Sequence, residues 1–238
     1  MTLRRLGQST LSVPPICIGT MTFGEQNSEG DAHDQLDYAY DRGYTFLDAA
    51  EVYPVPTKAA TQGRTEQFVG SWLKTKSRDR VIVATKVAGP SPGMPWVRPG
   101  LPSLDRSAIR SAIEGSLRRL GTDYVDLYQI HRWDPNTPIE VTMEALHDVV
   151  KAGKALHIGA SSMWAWQFIT AQQVAERNGW TQFATMQNHY NLVYREEERE
   201  MLPYCEATGV ASIPWSPLAR GLVTRDRGAV TSRVETDE

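Results

Sequence analysis

Apolar residues in this chain fall into short runs, and stretches with helical spacing separate the runs. The clearest run is Val125-Asp126-Leu127-Tyr128-Gln129-Ile130, which ends on His131. Ahead of it Ile109, Ile113, Leu117 and Leu120 recur on one helical face. Asp105 can cap the start of that helix and Gly121 can stop its end. A strand entered from a helix and closed by an ionisable residue is the repeating unit of a parallel α/β sheet. In such sheets chemistry collects at the C-terminal ends of the strands.

The rest of the chain reads as copies of that unit. Leu3 to Leu6 and Leu11 to Val13 flank a Gly7-Gln8-Ser9-Thr10 turn and predict a short hairpin. After Pro14-Pro15, strands are predicted over 16–20, 45–48, 81–85, 125–130, 156–160, 184–187 and 211–215. Helices are predicted over 31–42, 65–74, behind Asp105, and over 138–151, 166–177 and 195–208. Gly43, Gly153 and Gly209 serve as stops, and Pro138 suits a first helical turn. Loops 49–63 and 87–104 are long, and Pro and Gly mark the second. No element is predicted from Leu218 to Glu238, where Arg225, Arg227 and Arg233 lie. Strict strand–helix alternation predicts a (β/α)8 barrel of TIM type with an N-terminal hairpin. No eighth strand and helix can be traced. A barrel needs closure, so the expectation is one domain over 1–238, truncated after its seventh strand and lacking the eighth unit.

Composition removes several function classes. A net charge of −3 without a long basic run favours neither nucleic acid nor an anionic membrane. No apolar stretch approaches a membrane span, and no apolar signal core follows Arg4 and Arg5, so a cytoplasmic protein is expected. Cys17 and Cys205 are read as reduced thiols. No CxxC, HExxH or EF-hand spacing occurs, so no metal is expected. The Arg195-Glu196-Glu197-Glu198-Arg199-Glu200 run reads as a solvated helix start.

The candidate chemistry sits at three successive strand ends: Asp48, Lys86 and His131, with Tyr53 in the loop after the first of them. Reduction of a carbonyl builds negative charge on oxygen and needs a proton donor. A free phenol, with a pKa of about 10, is a poor acid. A neighbouring ammonium favours the phenolate, so Lys86 is expected to lower the Tyr53 pKa. Asp48 is expected to pair with Lys86. His131 is expected to donate a hydrogen bond to the substrate oxygen.

These residues lie in stretches that resemble the aldo-keto reductase superfamily. The stretches are Gly43 to Tyr53, Thr65 to Gly70, Ala84 to Lys86, Ser116 to His131, Gly159 to Ser162, Gln187-Asn188 and Trp215 to Leu218, in family order. Gly19 to Ser28 and the loop after Tyr53 resemble its Tas-like subgroup. The resemblance implies a catalytic tetrad of Asp48, Tyr53, Lys86 and His131, with Tyr53 as general acid. It implies NADP(H) bound across the barrel mouth without a glycine-rich Rossmann loop, and no GxGxxG is present. Ser161 and Gln187 match positions that hold the nicotinamide carboxamide, and Ser162 stands where many members have Asn. Trp215 matches the aromatic under the nicotinamide ring. Ser216, Leu218 and Gly221 match the pyrophosphate-side loop. Gly19, Thr20 and Met21 match the first strand end beside the cofactor. The family's adenosine 2′-phosphate site would follow Glu238.

The implied partner is a small carbonyl substrate, with room for a homo-oligomer. Trp96 and Trp133 are candidate walls for an apolar or aromatic compound. Two other readings stay open: a cofactor-holding subunit of the potassium-channel β type, and an inactive truncated fragment. A Schiff-base role for Lys86 on a barrel is weaker, since Asp48 and Tyr53 form a proton-donor set around it.

Overall fold

A computed structural model describes residues 2–91, 93–98 and 102–226. It opens with an antiparallel hairpin of β1 (Arg4–Arg5) and β2 (Ser12–Val13). Seven parallel strands follow: β3 (Ile18–Gly19), β4 (Phe46–Asp48), β5 (Ile82–Val87), β6 (Val125–Ile130), β7 (Ala155–Ser161), β8 (Phe183–Gln187) and β9 (Ala211–Ser212). Each pairs with its neighbour in chain order. One helix links each pair: α1 (Glu29–Asp41), α2 (Arg64–Leu73), α3 (Arg106–Leu120), α4 (Ile139–Lys151), α5 (Ala165–Asn178) and α6 (Met201–Thr208). A sequentially ordered parallel sheet with a crossover helix at every step is the curled wall of a (β/α)8 TIM barrel. Among the described residues, β3 and β9 each pair on one side only.

The period of two along each strand sorts side chains into two layers. Outward residues such as Val83, Tyr128, Ile130 and Ile158 pack under Leu36, Trp72, Ile113, Leu146 and Phe168 of the helices. Inward residues Phe46, Ala84 and Leu127 form a second core with Ile213, closed by Leu6 and Val13 of the hairpin. β6 is buried along its whole length, as a strand covered on both faces must be. α3 begins as the sequence implies: the Asp105 carboxylate accepts the Ala108 N–H at 2.9 Å, and Gly121 ends it at φ +63°.

Four expectations change. The predicted helix over 195–208 is a 3-10 turn at Glu196–Glu198 followed by α6 from Met201. Pro203 has no N–H and its ring would clash inside a helix begun at Arg195, but it is tolerated in the first turn of one begun at Met201. Pro138 lies outside α4 as its N-cap, with ψ 134°, and is not its first residue. β9 is shorter than 211–215: Ile213 and Trp215 still donate to Met186 O (2.9 Å) and Asn188 O (2.7 Å), while Pro214 between them cannot donate. A short 3-10 turn, Ala219–Gly221, occupies part of the stretch after Leu218. Arg227, Arg233 and the rest of 227–238 lie outside the described residues. No helix among the described residues is long and apolar enough to cross a membrane.

α2 crosses α3 at Gly70, where a Cβ would lie 2.4 Å from Arg119 O and 2.8 Å from Leu120 Cα. These are backbone atoms and cannot rotate away. Gly70→Ala should lower stability by about 1–3 kcal/mol, the usual cost of overpacking, seen as a lower urea midpoint. An unchanged midpoint would show that the helices separate freely.

Candidate active site

The inward layer turns polar at the C-terminal strand ends. Gly19 pairs with Asp48 across β3 and β4, Asp48 pairs with Ala84 two residues before Lys86, and Lys86 pairs with Gln129 across β5 and β6. Gln129 pairs in turn with Gly159 on β7, and Ser161 with Gln187 on β8. A Cβ at Gly159 would lie 2.1 Å from Thr185 Oγ1 and 3.2 Å from Gln129 Cγ. Only glycine there leaves room for Gln129 to reach across the interior.

Asp48 and Lys86 meet in this layer. The Lys86 ammonium donates to Asp48 Oδ2 at 2.5 Å, to Ala49 O at 3.0 Å and to the Tyr53 hydroxyl at 3.4 Å. Lys86 is wholly buried. Asp48 Oδ1 accepts from Gln187 Nε2 at 2.9 Å and Gln129 Nε2 at 3.2 Å. Thr20 donates to Asp48 O through its N–H (3.1 Å) and its hydroxyl (2.8 Å). The strand of β5 runs one residue past Lys86, to Val87, so the lysine belongs to the wall.

Tyr53 is buried among Ala50, Val52 and Ala88, with Met21, Val55, Met94 and Val97 packed around it. Its loop is tied down by a buried ion pair. Glu51 pairs with Arg98 and accepts the Ala88 N–H at 2.5 Å, while Arg98 donates to Ala88 O at 2.8 Å. Loops 49–63 and 87–98 are thereby fastened to one another. The His131 ring stands edge-on to the Tyr53 ring, with centroids 5.6 Å apart at 83°. The His131 N–H continues the ladder to Val87 O at 2.9 Å.

Electrostatics modify one expectation. The Tyr53 phenol is raised above its usual value: burial is the largest cause, the Lys86 charge pulls it back, and Asp48 adds to the rise. Lys86 acts in the expected direction, but desolvation exceeds it. For Lys86, burial is the largest single influence and acts downward. Attraction to Asp48 and Tyr53 and the hydrogen bonds to both together outweigh it and raise the pKa. His131 is held well below the usual histidine range by burial, with the charges of Lys86 and Arg132 acting in the same sense.

A second set lines the ends of β7 to β9. Ser161 Oγ donates to Gln187 O at 3.0 Å, and Ser162, at φ +45°, donates its N–H to the same oxygen at 3.2 Å. The Trp215 indole N–H donates to Ser162 Oγ at 2.9 Å. Trp215 stacks on His189 at 4.0 Å and 11°, and His189 on Tyr194 at 4.2 Å. Asn191 Nδ2 holds Ser216 O at 3.0 Å. Leu218 is exposed and Gly221 sits at φ +90°. Gly19 has open space where a Cβ would be. Met21 O accepts the Val55 N–H at 2.9 Å, tying the first strand end to the Tyr53 loop. Trp133 packs edge-on to Trp166 at 6.0 Å, and Trp96 is 40% exposed.

The structure thus brings Asp48, Tyr53, Lys86 and His131 together, and gathers Ser161, Ser162, Gln187 and Trp215 beside them. Sequence reasoning missed Gln129, the Glu51–Arg98 pair and the His189–Tyr194 stack. Gln129 shares inward parity with Leu127, which was a usable signal. Nothing in the sequence pairs Glu51 with Arg98 across two irregular loops.

Comparison with known proteins gives a consistent relationship. The sequence profile described as Aldo/keto reductase family matches residues 15–236. An aldo-keto reductase of Fusarium vanettenii is 42% identical over 93% of this chain and 65% of its own length. Versiconal hemiacetal acetate reductase of Aspergillus parasiticus is 42% identical over 94% of this chain and 69% of its own. Protein tas of Escherichia coli is 40% identical over 94% and 70%. The chain therefore spans about two thirds of the length of these relatives.

The depressed His131 pKa has a measurable sign. An unfolded histidine takes up a proton near pH 6.5, whereas the folded ring resists it, so His131 should cost stability as pH falls below that value. Side-chain NMR should show a neutral imidazole at pH 6. A protonated ring there would contradict the electrostatics of the site.

Proposed function

This chain belongs to the aldo/keto reductase family, and from that premise we propose that it is an NADP(H)-dependent oxidoreductase reducing aldehydes or ketones to alcohols. We read 1–238 as one domain of this kind. The observation that carries the reading is the wholly buried Lys86, which joins Asp48 to the Tyr53 hydroxyl beside a neutral His131. A structural ion pair has no need of a phenol and an imidazole at its open end.

The donors at the ends of β7 to β9 fit a nicotinamide nucleotide. Ser161 and Ser162 supply hydroxyls, Gln187 Oε1 supplies an acceptor, and the Trp215 indole supplies an apolar ring. These suit a neutral carboxamide on a flat heterocycle. Ser216, Leu218 and Gly221 would serve the pyrophosphate side, with Gly19 and Met21 beside the ring. Thr20 contributes indirectly, because its hydroxyl is engaged by Asp48 O. The bound cofactor would supply the hydride. The choice of NADP(H) over NAD(H) follows the family resemblance.

In this reading Tyr53 donates its hydroxyl proton to the carbonyl oxygen as that oxygen becomes an alkoxide. At neutral pH the phenol is protonated with or without the rise in its pKa, and the rise makes proton release lean on the cation beside it. The phenolate left after donation is stabilised by the Lys86 ammonium, which Asp48 keeps charged and in place. A neutral His131 ring can offer one N–H to the substrate oxygen without placing a second cation beside Lys86.

Tyr53→Phe removes the proton and the longest of the three Lys86 hydrogen bonds, and keeps the ring. Turnover of benzaldehyde with NADPH should fall by roughly a hundredfold or more. Cofactor affinity, read by tryptophan fluorescence, should stay within about twofold, since the phenol contributes no assigned cofactor hydrogen bond. Full turnover by the variant would overturn the assignment.

A further inference from the structure

Arg132 directly follows His131, and the roles proposed above leave it unused. Its Nη1 donates to His131 O at 2.9 Å, folding the guanidinium back over the strand end. The 87–98 loop passes close to its backbone at Gly89, where a Cβ would lie 2.8 Å from Arg132 O. Other cations around these loops have carboxylates: Lys86 has Asp48, Arg98 has Glu51 and Arg119 has Glu66. Arg132 has none within ion-pair distance among the described residues. The acid nearest in sequence, Asp134, is buried and committed to the Leu104 N–H (2.9 Å), the Asn136 N–H (2.9 Å) and the Thr137 hydroxyl (2.6 Å).

The charge of Arg132 bears on the reacting groups. It acts on both Tyr53 and His131. Lys86 is paired with Asp48, so at this strand end Arg132 is the cation that no carboxylate meets among the described residues. A guanidinium has five N–H donors in a planar fork that matches a carboxylate. Next in sequence, the partly buried Trp133 ring meets Trp166 at 6.0 Å, and Trp166 meets Trp164 at 6.2 Å. Trp164 and Trp166 are 70% and 55% exposed, a large aromatic surface to leave in water.

We infer that Arg132 is a specificity-determining residue that binds an anionic group on the carbonyl substrate, and that favoured substrates are aromatic or apolar carbonyl compounds bearing a carboxylate or similar anion. The inference rests on the reductase reading of the same site. The phosphates of the cofactor are a second source of anionic oxygen. They are disfavoured by position: Arg132 follows β6, whereas Ser161, Gln187 and Trp215 lie at the ends of β7 to β9.

The test reads binding, so it does not depend on turnover. Para-carboxybenzaldehyde and its methyl ester are titrated into the protein with NADPH present, followed by tryptophan fluorescence. The wild-type protein should bind the acid about 10-fold or more tightly than the ester, in line with a charge-assisted hydrogen-bond pair. Arg132→Gln should bring the two together, and Arg132→Lys should keep part of the preference. An acid-to-ester ratio that Arg132→Gln leaves unchanged, or no saturable binding of the acid, overturns the inference. So does an Arg132→Gln variant whose NADPH affinity falls while the ratio stays, because the contact is then to cofactor phosphate. Benzaldehyde turnover, measured in parallel, separates the two claims. Acid-selective binding without any aldehyde reduction sinks the reductase reading and leaves the Arg132 contact. Benzaldehyde reduction without acid selectivity does the reverse.

Discussion

A fully buried ammonium is the constraint around which this site is built. Removing a lysine from water costs several kcal/mol unless opposite charge and hydrogen bonds replace the solvent. Lys86 meets that requirement with Asp48, Ala49 O and the Tyr53 hydroxyl. Asp48 in turn requires Gln187, Gln129 and the backbone anchor from Thr20. The pair therefore draws on β3, β4, β5, β6 and β8 together. It cannot form unless those strands hold the observed register, and register is the property a parallel sheet specifies through its inward and outward alternation.

The same constraint explains the smaller features around it. Gly159 is small so that Gln129 and Thr185 can fill the interior above it. The Glu51–Arg98 pair holds together two loops that would otherwise carry Tyr53 on irregular backbone. Burial of Tyr53 raises the phenol pKa, and Lys86 limits the rise. A phenol whose pKa is raised by burial and pulled back by an adjacent ammonium follows from one lysine in one dry place. Arg132, which no carboxylate meets among the described residues, stands outside that arrangement.

Much of this was legible in the sequence. Alternating apolar runs and helical spacings located every strand and helix of the wall, because each element buries one or two faces with its own period. Asp48, Lys86 and His131 were legible because each follows such a run. Tyr53 was legible as a phenol in the loop just after the Asp48 strand, within a stretch that resembles the family. Boundaries failed where proline intervened: Pro203 delays α6 and Pro214 interrupts the last ladder. The net pKa of Tyr53 was misjudged because desolvation depends on the loops that cover it, and those loops have no period. The Glu51–Arg98 pair and the Trp215–His189 stack arise from loop packing, which leaves no local signature.

The most direct test of the central claim follows the hydride. The protein would be incubated with an aromatic aldehyde and NADPH deuterated at the transferable nicotinamide position, and the product examined by mass spectrometry. The account predicts the alcohol carrying one deuterium on the former carbonyl carbon. Saturable binding of the cofactor with no deuterated alcohol formed would contradict it, and would leave the Asp48–Lys86 pair as a structural feature of the barrel alone.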